Sequence, residues 1–193
     1  MDVKEGRSAQ GEATEKSLRR HARKLFAAKS YAGAATNELV RRARVTKGAL
    51  YHHFANKQQL YRAVVEDMER ELVTTVESAA AGQRDPWKRL VAMCRAYLDA
   101  CSDPSTARIL VLEAPVVLGW KTWCQIEQEH VVASFARCLR EAELRDQPPE
   151  TMAQVVLGAL NTAARVVATA TDSKSAREQV EETIRRLLAG LRH

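Results

Sequence analysis

Residues 36–60 read TNELVRRARVTKGALYHHFANKQQL, and this stretch decides the fold. Thr36 opens a short helical pattern that runs to Ala43, with Leu39, Val40 and Ala43 on its inner side and Thr36 placed to cap it. Arg44-Val45 is a tight turn, and a second short pattern follows from Thr46 to Phe54. Two short helices joined this way predict a helix-turn-helix, whose second helix enters the major groove of DNA. Val45, Leu50 and Phe54 face inward. Lys47 and Tyr51 are i, i+4 neighbours on another face, and so are Gly48 and His52. Gly48 carries no side chain, so the helix start can approach DNA closely, and exposed helix N-termini bind phosphate through their free N–H groups. Lys47 can reach phosphate or guanine, while Tyr51 and His52 can donate to phosphate or touch bases. Asn56 is placed to cap a fourth helix reaching about Ala81, with Leu60, Val64, Met68, Leu72 and Val76 as its apolar stripe.

Upstream, Leu18, Ala22, Leu25 and Phe26 recur at helical spacing and predict a first helix of about Glu12–Lys29, broken by Tyr31 and Gly33. Residues 1–11 read as a flexible basic arm. Residues 1–57 carry 13 Lys/Arg against 5 Asp/Glu, while the rest of the 193-residue chain carries 17 against 19. A basic module next to a nearly neutral remainder either meets a polyanion or presents a solvated face.

Downstream the chain is helices punctuated by proline. Asp85-Pro86 and Asp103-Pro104 each set a capping residue before a proline at the first helical position, opening helices of about 86–101 and 104–113. Pro115 and Gly119 mark a break before a helix of about 120–144, and two more follow at about 149–170 and 174–189. No run alternates as a strand does. The composition, with 5 Pro, 8 Gly and 5% aromatics, also argues against a β-sandwich or barrel. The expected fold is all-α with about nine helices.

Several function classes find no support. The cysteines Cys94, Cys101, Cys124 and Cys138 form no CxxC or zinc-finger spacing and read as reduced core thiols of a cytoplasmic protein. Cys94 and Cys101 are about 10 Å apart along one helix, too far for a disulfide. His52 and His53 point about 100° apart and chelate poorly, so no metal is expected. No Ser/His/Asp arrangement, HExxH, P-loop or paired carboxylates is present, so neither catalytic residues nor a cofactor are expected. The first residues, MDVKEGRSAQGEATEK, contain no apolar segment of the signal-peptide kind. No run reaches the roughly 18 consecutive apolar residues of a membrane span, so no membrane partner is expected.

The run VTKGALYHHFANKQQL, residues 45–60, resembles the tetracycline-repressor (TetR) family of bacterial transcriptional regulators. It has that family's Val, Ser/Thr, basic residue, Gly, small residue, apolar residue, Tyr, two polar or aromatic residues, Phe, and then Lys and Leu at the same spacing. The resemblance implies a helix-turn-helix DNA-binding domain at 12–56 and a helical effector-binding and dimerisation domain at 57–193. It implies that Thr36 caps the second helix against a phosphate, and that Thr46, Lys47 and Gly48 open the recognition helix on the groove. Tyr51 and His52 would touch backbone or bases, and Lys57 would hold a phosphate. Arg44 stands where the family usually has Gly. In a left-handed turn this costs about 1 kcal/mol, which a phosphate contact from Arg44 can offset. The implied partners are an inverted-repeat operator in double-stranded DNA, a small effector and a second copy of the chain through residues 149–190.

Two readings stand for Trp120 and Trp123, in APVVLGWKTW: core or dimer packing, or one wall of a ligand cavity. Arg95, Glu113, Asn161 and Arg165 are the polar candidates near such a cavity. Asn161 and Arg165, i and i+4 on an apolar helix, read equally as a buried or interface pair. An effector in that cavity is expected to be apolar or aromatic with one polar or anionic end, met by Arg95 or Arg165. On the last two helices Val155, Val167, Ile184 and Leu187 belong to apolar faces that suit a four-helix bundle formed by two chains.

Overall fold

A computed structural model describes residues 3–142 and 148–191, with side chains from Gln10 onward. The described residues are helical throughout, joined by turns. The elements are α1 (Val3–Gly33), α2 (Thr36–Ala43), α3 (Lys47–His53), α4 (Lys57–Ala80) and α5 (Pro86–Cys101). Then come α6 (Pro104–Thr106), α7 (Ala114–Val117), α8 (Trp120–Glu127), α9 (Ala133–Glu141), α10 (Pro149–Thr169) and α11 (Ser173–Gly190). A π-helical stretch, Ala107–Glu113, fuses α6 to α7, and a second, Gln128–Val132, fuses α8 to α9. Counted as continuous rods, these make the nine expected helices among the described residues.

The chain packs as two units, 1–66 and 67–193. The division falls inside α4, whereas the sequence placed it at the start of that helix. In the first unit Leu18, Ala22, Leu25 and Phe26 are fully buried on α1, as their spacing requires. Phe26, Tyr31 and Tyr61 form an aromatic cluster, with Tyr61 edge-on to both partners at 5.0 and 5.1 Å between centroids. Helix α1 already begins at Val3, so residues 3–11, expected as an arm, are drawn into the helix, while residues 1–2 lie outside the described residues. Its regular course stops at Ser30, one residue after the expected end. Ser30 takes φ 66°, ψ 168°, a region that is essentially glycine's and costs another residue about 1–3 kcal/mol.

Asn56, Asp85 and Asp103 cap their helices as their sequence positions dictate. Asn56 Oδ1 accepts the Gln59 N–H at 2.8 Å, Asp85 accepts that of Lys88 at 3.0 Å, and Asp103 accepts that of Thr106 at 2.9 Å. In the second unit Pro115 does not break its helix. The wider turns of Ala107–Glu113 precede it and ease the clash of its ring with the preceding turn, so the break falls at Gly119 alone, φ 79°. The expected helix end at 144 lies outside the described residues. Helix α10 has the length and apolar composition of a membrane span, yet it packs on α5, α9 and α11 and buries Leu157, Leu160 and Ala164.

Candidate nucleic-acid interface

The helix-turn-helix is built as its residues require. Leu39 and Ala43 anchor α2 in the core, and Val40 is half-buried. Arg44 takes the left-handed conformation, φ 56°, ψ 42°, that ends α2. Val45 N–H then reaches back to the Val40 carbonyl at 3.0 Å, the six-to-one bond of a Schellman turn. Thr46 caps α3, its Oγ1 accepting the Ala49 N–H at 3.1 Å. Leu50 and Phe54 are buried, while Val45 is half-buried. The Arg19 guanidinium lies 5.9 Å from the Phe54 ring centroid.

The opposite face of α3 is open. Thr46, Lys47, Gly48, Tyr51 and His52 are all exposed. A Cβ on Gly48 would meet only Thr46 Oγ1, at an ordinary 3.8 Å, so nothing inside the fold demands glycine there. His53 is half-buried, with Nδ1 3.8 Å from Glu15, and its ring stands edge-on to that of His52. Among the described residues no group of His, Cys, Asp and Glu is arranged to hold a metal.

The charges around this face are unevenly matched. Glu38 is bridged by Lys29 and Arg42, each at 2.7 Å, and the Lys29 hydrogen bond leads in holding its carboxyl below the usual range. Arg41, Arg44 and Lys47 are exposed and make no ion pair among the described residues. Two expected details change. Thr36 is the first helical residue of α2, and Ala35 occupies the cap position with no side-chain capping bond, so Thr36 does not cap. The Lys57 ammonium turns inward, donating to the Tyr31 and Ala34 carbonyls at 2.9 and 3.2 Å and lying 4.3 Å from the Tyr31 ring. It ties the start of α4 to the end of α1.

The second unit does not assemble the expected cavity. Trp120 is 71% exposed and Trp123 is 2% exposed, so the two do not share a wall. Arg95 is exposed, paired to Glu181, and lines an open surface groove of about 440 Å³ with Val91 and Lys88. Arg165 is exposed and among the described residues its side chain reaches Thr162 at 3.5 Å, and Glu113 is half-buried. Asn161 alone points to buried chemistry. It accepts the Tyr97 hydroxyl at 2.6 Å and donates to Glu127 at 2.6 Å. Burial leads in raising the Glu127 carboxyl, opposed by that Asn161 bond. Glu69 on α4, which the sequence reading passed over, is also buried here, and burial followed by the Glu127 charge pushes its carboxyl up to about 8. Its signal was available: Tyr61, Val65, Glu69 and Leu72 lie at helical spacing, which puts a carboxyl on an apolar stripe.

Comparison with known proteins matches residues 18–64 to the tetR family of bacterial regulatory proteins and residues 87–191 to the tetracyclin repressor-like C-terminal domain. A TetR-family transcriptional regulator of Pectobacterium atrosepticum, known from its crystal structure, is 31% identical and superposes with a TM-score of 0.82 over 95% of this chain and 96% of that one. The Transposon Tn10 TetC protein of Escherichia coli is 28% identical over 165 residues, 82% of each chain. The transcriptional regulator FadR of Bacillus subtilis, crystallised with stearoyl-CoA, has the same fold at 14% identity, with a TM-score of 0.74 over 92% of this chain and 99% of that one. The chain belongs to the TetR family of bacterial transcriptional regulators.

Proposed function

We propose that the chain is a homodimeric repressor that reads an inverted-repeat operator through α3 and leaves it when a small effector occupies the second unit. The observation that carries the DNA-reading part is the two-sidedness of α3. Leu50 and Phe54 fix it to the core, while Thr46, Lys47, Gly48, Tyr51 and His52 stand exposed beside the unmatched cations Arg41 and Arg44. Arg44 and Lys47 would meet phosphate or guanine, and Tyr51 and His52 would meet backbone or base edges. Thr36, at the first turn of α2, would offer its N–H to a phosphate. Lys57 would act mainly by holding that framework together.

Dimerisation rests on apolar surface that one chain leaves open. Val155 and Val166 on α10 and Leu187 on α11 are exposed, within the segment 149–190. A twofold axis there would place two recognition helices in successive major grooves. The family regulates transcription rather than catalysing reactions, and a bacterial regulator of transcription works in the cytoplasm. The effector reading draws on FadR, which shares this fold over 92% of this chain and was crystallised with stearoyl-CoA. An effector releases DNA only by favouring the conformation with the wrong helix spacing.

The test is selection of genomic fragments on the purified chain, followed by footprinting at increasing salt. The expected result is a protected inverted repeat with an affinity that falls steeply with salt. Binding without a preferred site would remove the specific-regulator reading.

A further inference from the structure

Glu69 lies on α4, 2% exposed, and its Oε2 has no hydrogen-bond partner among the described residues. The Glu127 charge on α8 couples to it, and the neutral Tyr97 and Cys101 on α5 are titratable groups that feel its charge. Tyr97 donates its hydroxyl proton to Asn161, and Asn161 donates to Glu127. Among the described residues, that chain leaves oxygens without a donor in the cluster: Oε2 of Glu69 and the second oxygen of Glu127. No Lys or Arg is buried among the described residues, and Arg95 and Arg165 both stand in solvent.

A carboxyl in an apolar core without a partner is destabilising, because it loses its water and gains nothing. A leucine or methionine on the same stripe would pack better. Two carboxyls in one cluster raise the cost further, since like charges cannot both ionise cheaply. Positions that break a local rule without structural return are where binding sites are found. What relieves both penalties at once is a group that carries positive charge and several N–H donors.

We infer that Glu69, Glu127, Tyr97 and Asn161 form the recognition end of the effector site, and that it takes a monocationic amine with an apolar or aromatic body. The inference rests on the reading of residues 67–193 as an effector-binding unit, and it reverses the charge expected of the effector from Arg95 and Arg165. The ammonium sits between the two carboxyls, and Glu69, protonated in the chain alone, releases its proton to solvent as the ammonium binds. Asn161 fixes Glu127 through its N–H and is itself fixed by Tyr97, and the apolar residues around them hold the body of the ligand.

Three probes share one aromatic body: naphthylmethylammonium, naphthylmethanol and naphthylacetate. Each is titrated calorimetrically into the full chain and into Glu69→Gln and Glu127→Gln, with melting curves to confirm folding. Glu69→Gln removes the buried acid, so it is expected to melt no lower than the parent chain. The ammonium probe is expected to bind saturably, with the alcohol at least about tenfold weaker and the carboxylate weaker still. Both variants are expected to lose about tenfold or more for the ammonium alone. Equal or tighter binding of naphthylacetate would overturn the inference. So would unchanged ammonium affinity in both variants, or no saturable ammonium binding up to about 1 mM. Operator binding is measured on the same samples. A chain that holds DNA and releases it with naphthylacetate keeps the effector reading and loses the cation site. A chain that binds the ammonium saturably but is released from its operator by none of the three keeps the cation site, loses the effector reading and keeps its DNA-reading role.

Discussion

Tyr51 and Phe54 are three residues apart on one helical turn and meet opposite environments: Tyr51 is 51% exposed and Phe54 is 5% exposed. Their substitutions should therefore separate. Phe54→Ala is expected to lower stability by roughly 3–5 kcal/mol, because it empties a core site. Tyr51→Phe is expected to leave the melting temperature unchanged and to weaken operator binding by the worth of one hydrogen bond, about 0.5–1.5 kcal/mol. Thermal melts and fluorescence anisotropy on the same samples check both. Equal loss of stability would mean that the two faces are wrongly assigned.

Gly48 offers a sharper version of that separation. A methyl group there meets nothing closer than 3.8 Å, and alanine favours a helix over glycine by about 1 kcal/mol. Gly48→Ala is expected to melt at or above the parent temperature. In the proposed interface the same methyl stands between the helix start and the DNA backbone, so operator affinity should fall by about tenfold or more. Retained affinity would show that this end of α3 does not approach DNA.

Lys57 is expected to behave as a structural residue first. Lys57→Met keeps the stem and removes the donors that satisfy the Tyr31 and Ala34 carbonyls. Stability should drop by about 1–3 kcal/mol, with DNA affinity falling as a consequence. The salt dependence of binding separates the roles. A phosphate contact would show as a slope smaller by about one in the logarithmic plot, whereas a purely structural tie leaves the slope unchanged. An unchanged melting temperature with a reduced slope would return Lys57 to the phosphate.

On α10, Val166 and Val167 are neighbours in sequence and opposites in burial: Val166 is 48% exposed and Val167 is 4% exposed. Val155 and Val166 are eleven residues apart, about three turns, and share a face. Val167→Asp is therefore expected to unfold the second unit. Val166→Asp and Leu187→Asp should leave it folded and give a monomer with weak operator binding. Light scattering and circular dichroism distinguish the two outcomes. A stable dimer in both exposed variants would place the interface elsewhere.

Much of this was legible in the sequence because each feature was local. The stripe Leu60, Val64, Met68, Leu72 and Val76 is buried as its spacing requires, and Asn56, Asp85 and Asp103 cap the helices they precede. The run through Pro115 was not legible, because a π-helical turn is a tertiary adjustment with no local pattern of its own. The inward turn of Lys57 joins residues 26 apart in sequence, and the bond from Tyr97 to Asn161 joins residues 64 apart. Spacing along one helix says nothing about either. Trp120 and Trp123 fail for a simpler reason. Three residues on a helix are near neighbours, but at the edge of a bundle that is enough to put one ring in the core and the other in solvent.

The buried carboxyl of Glu69 makes a prediction about pH that holds whatever ligand the chain takes. Burial first, and the Glu127 charge second, raise it from 4.5 to about 8. In the unfolded chain the proton leaves near the ordinary carboxyl value, while in the folded chain it stays until about pH 8. Between those values unfolding releases a proton, so rising pH favours the unfolded state. The stability contributed by the protonated form is full below the ordinary value, is lost across this window, and levels off above about pH 8. Glu127, raised by burial, adds a loss of the same sign. Tyr97 and Cys101, which face the same cluster, are also raised, but their unfolded forms ionise at higher pH and stay neutral through most of the scan. Melting temperatures between about pH 5 and pH 8 at constant ionic strength should fall steadily for the parent chain. Glu69→Gln should show a shallower fall, kept only by Glu127, and should be the more stable of the two at the alkaline end. Identical slopes would mean that Glu69 is ionised in the folded protein and has found a partner there.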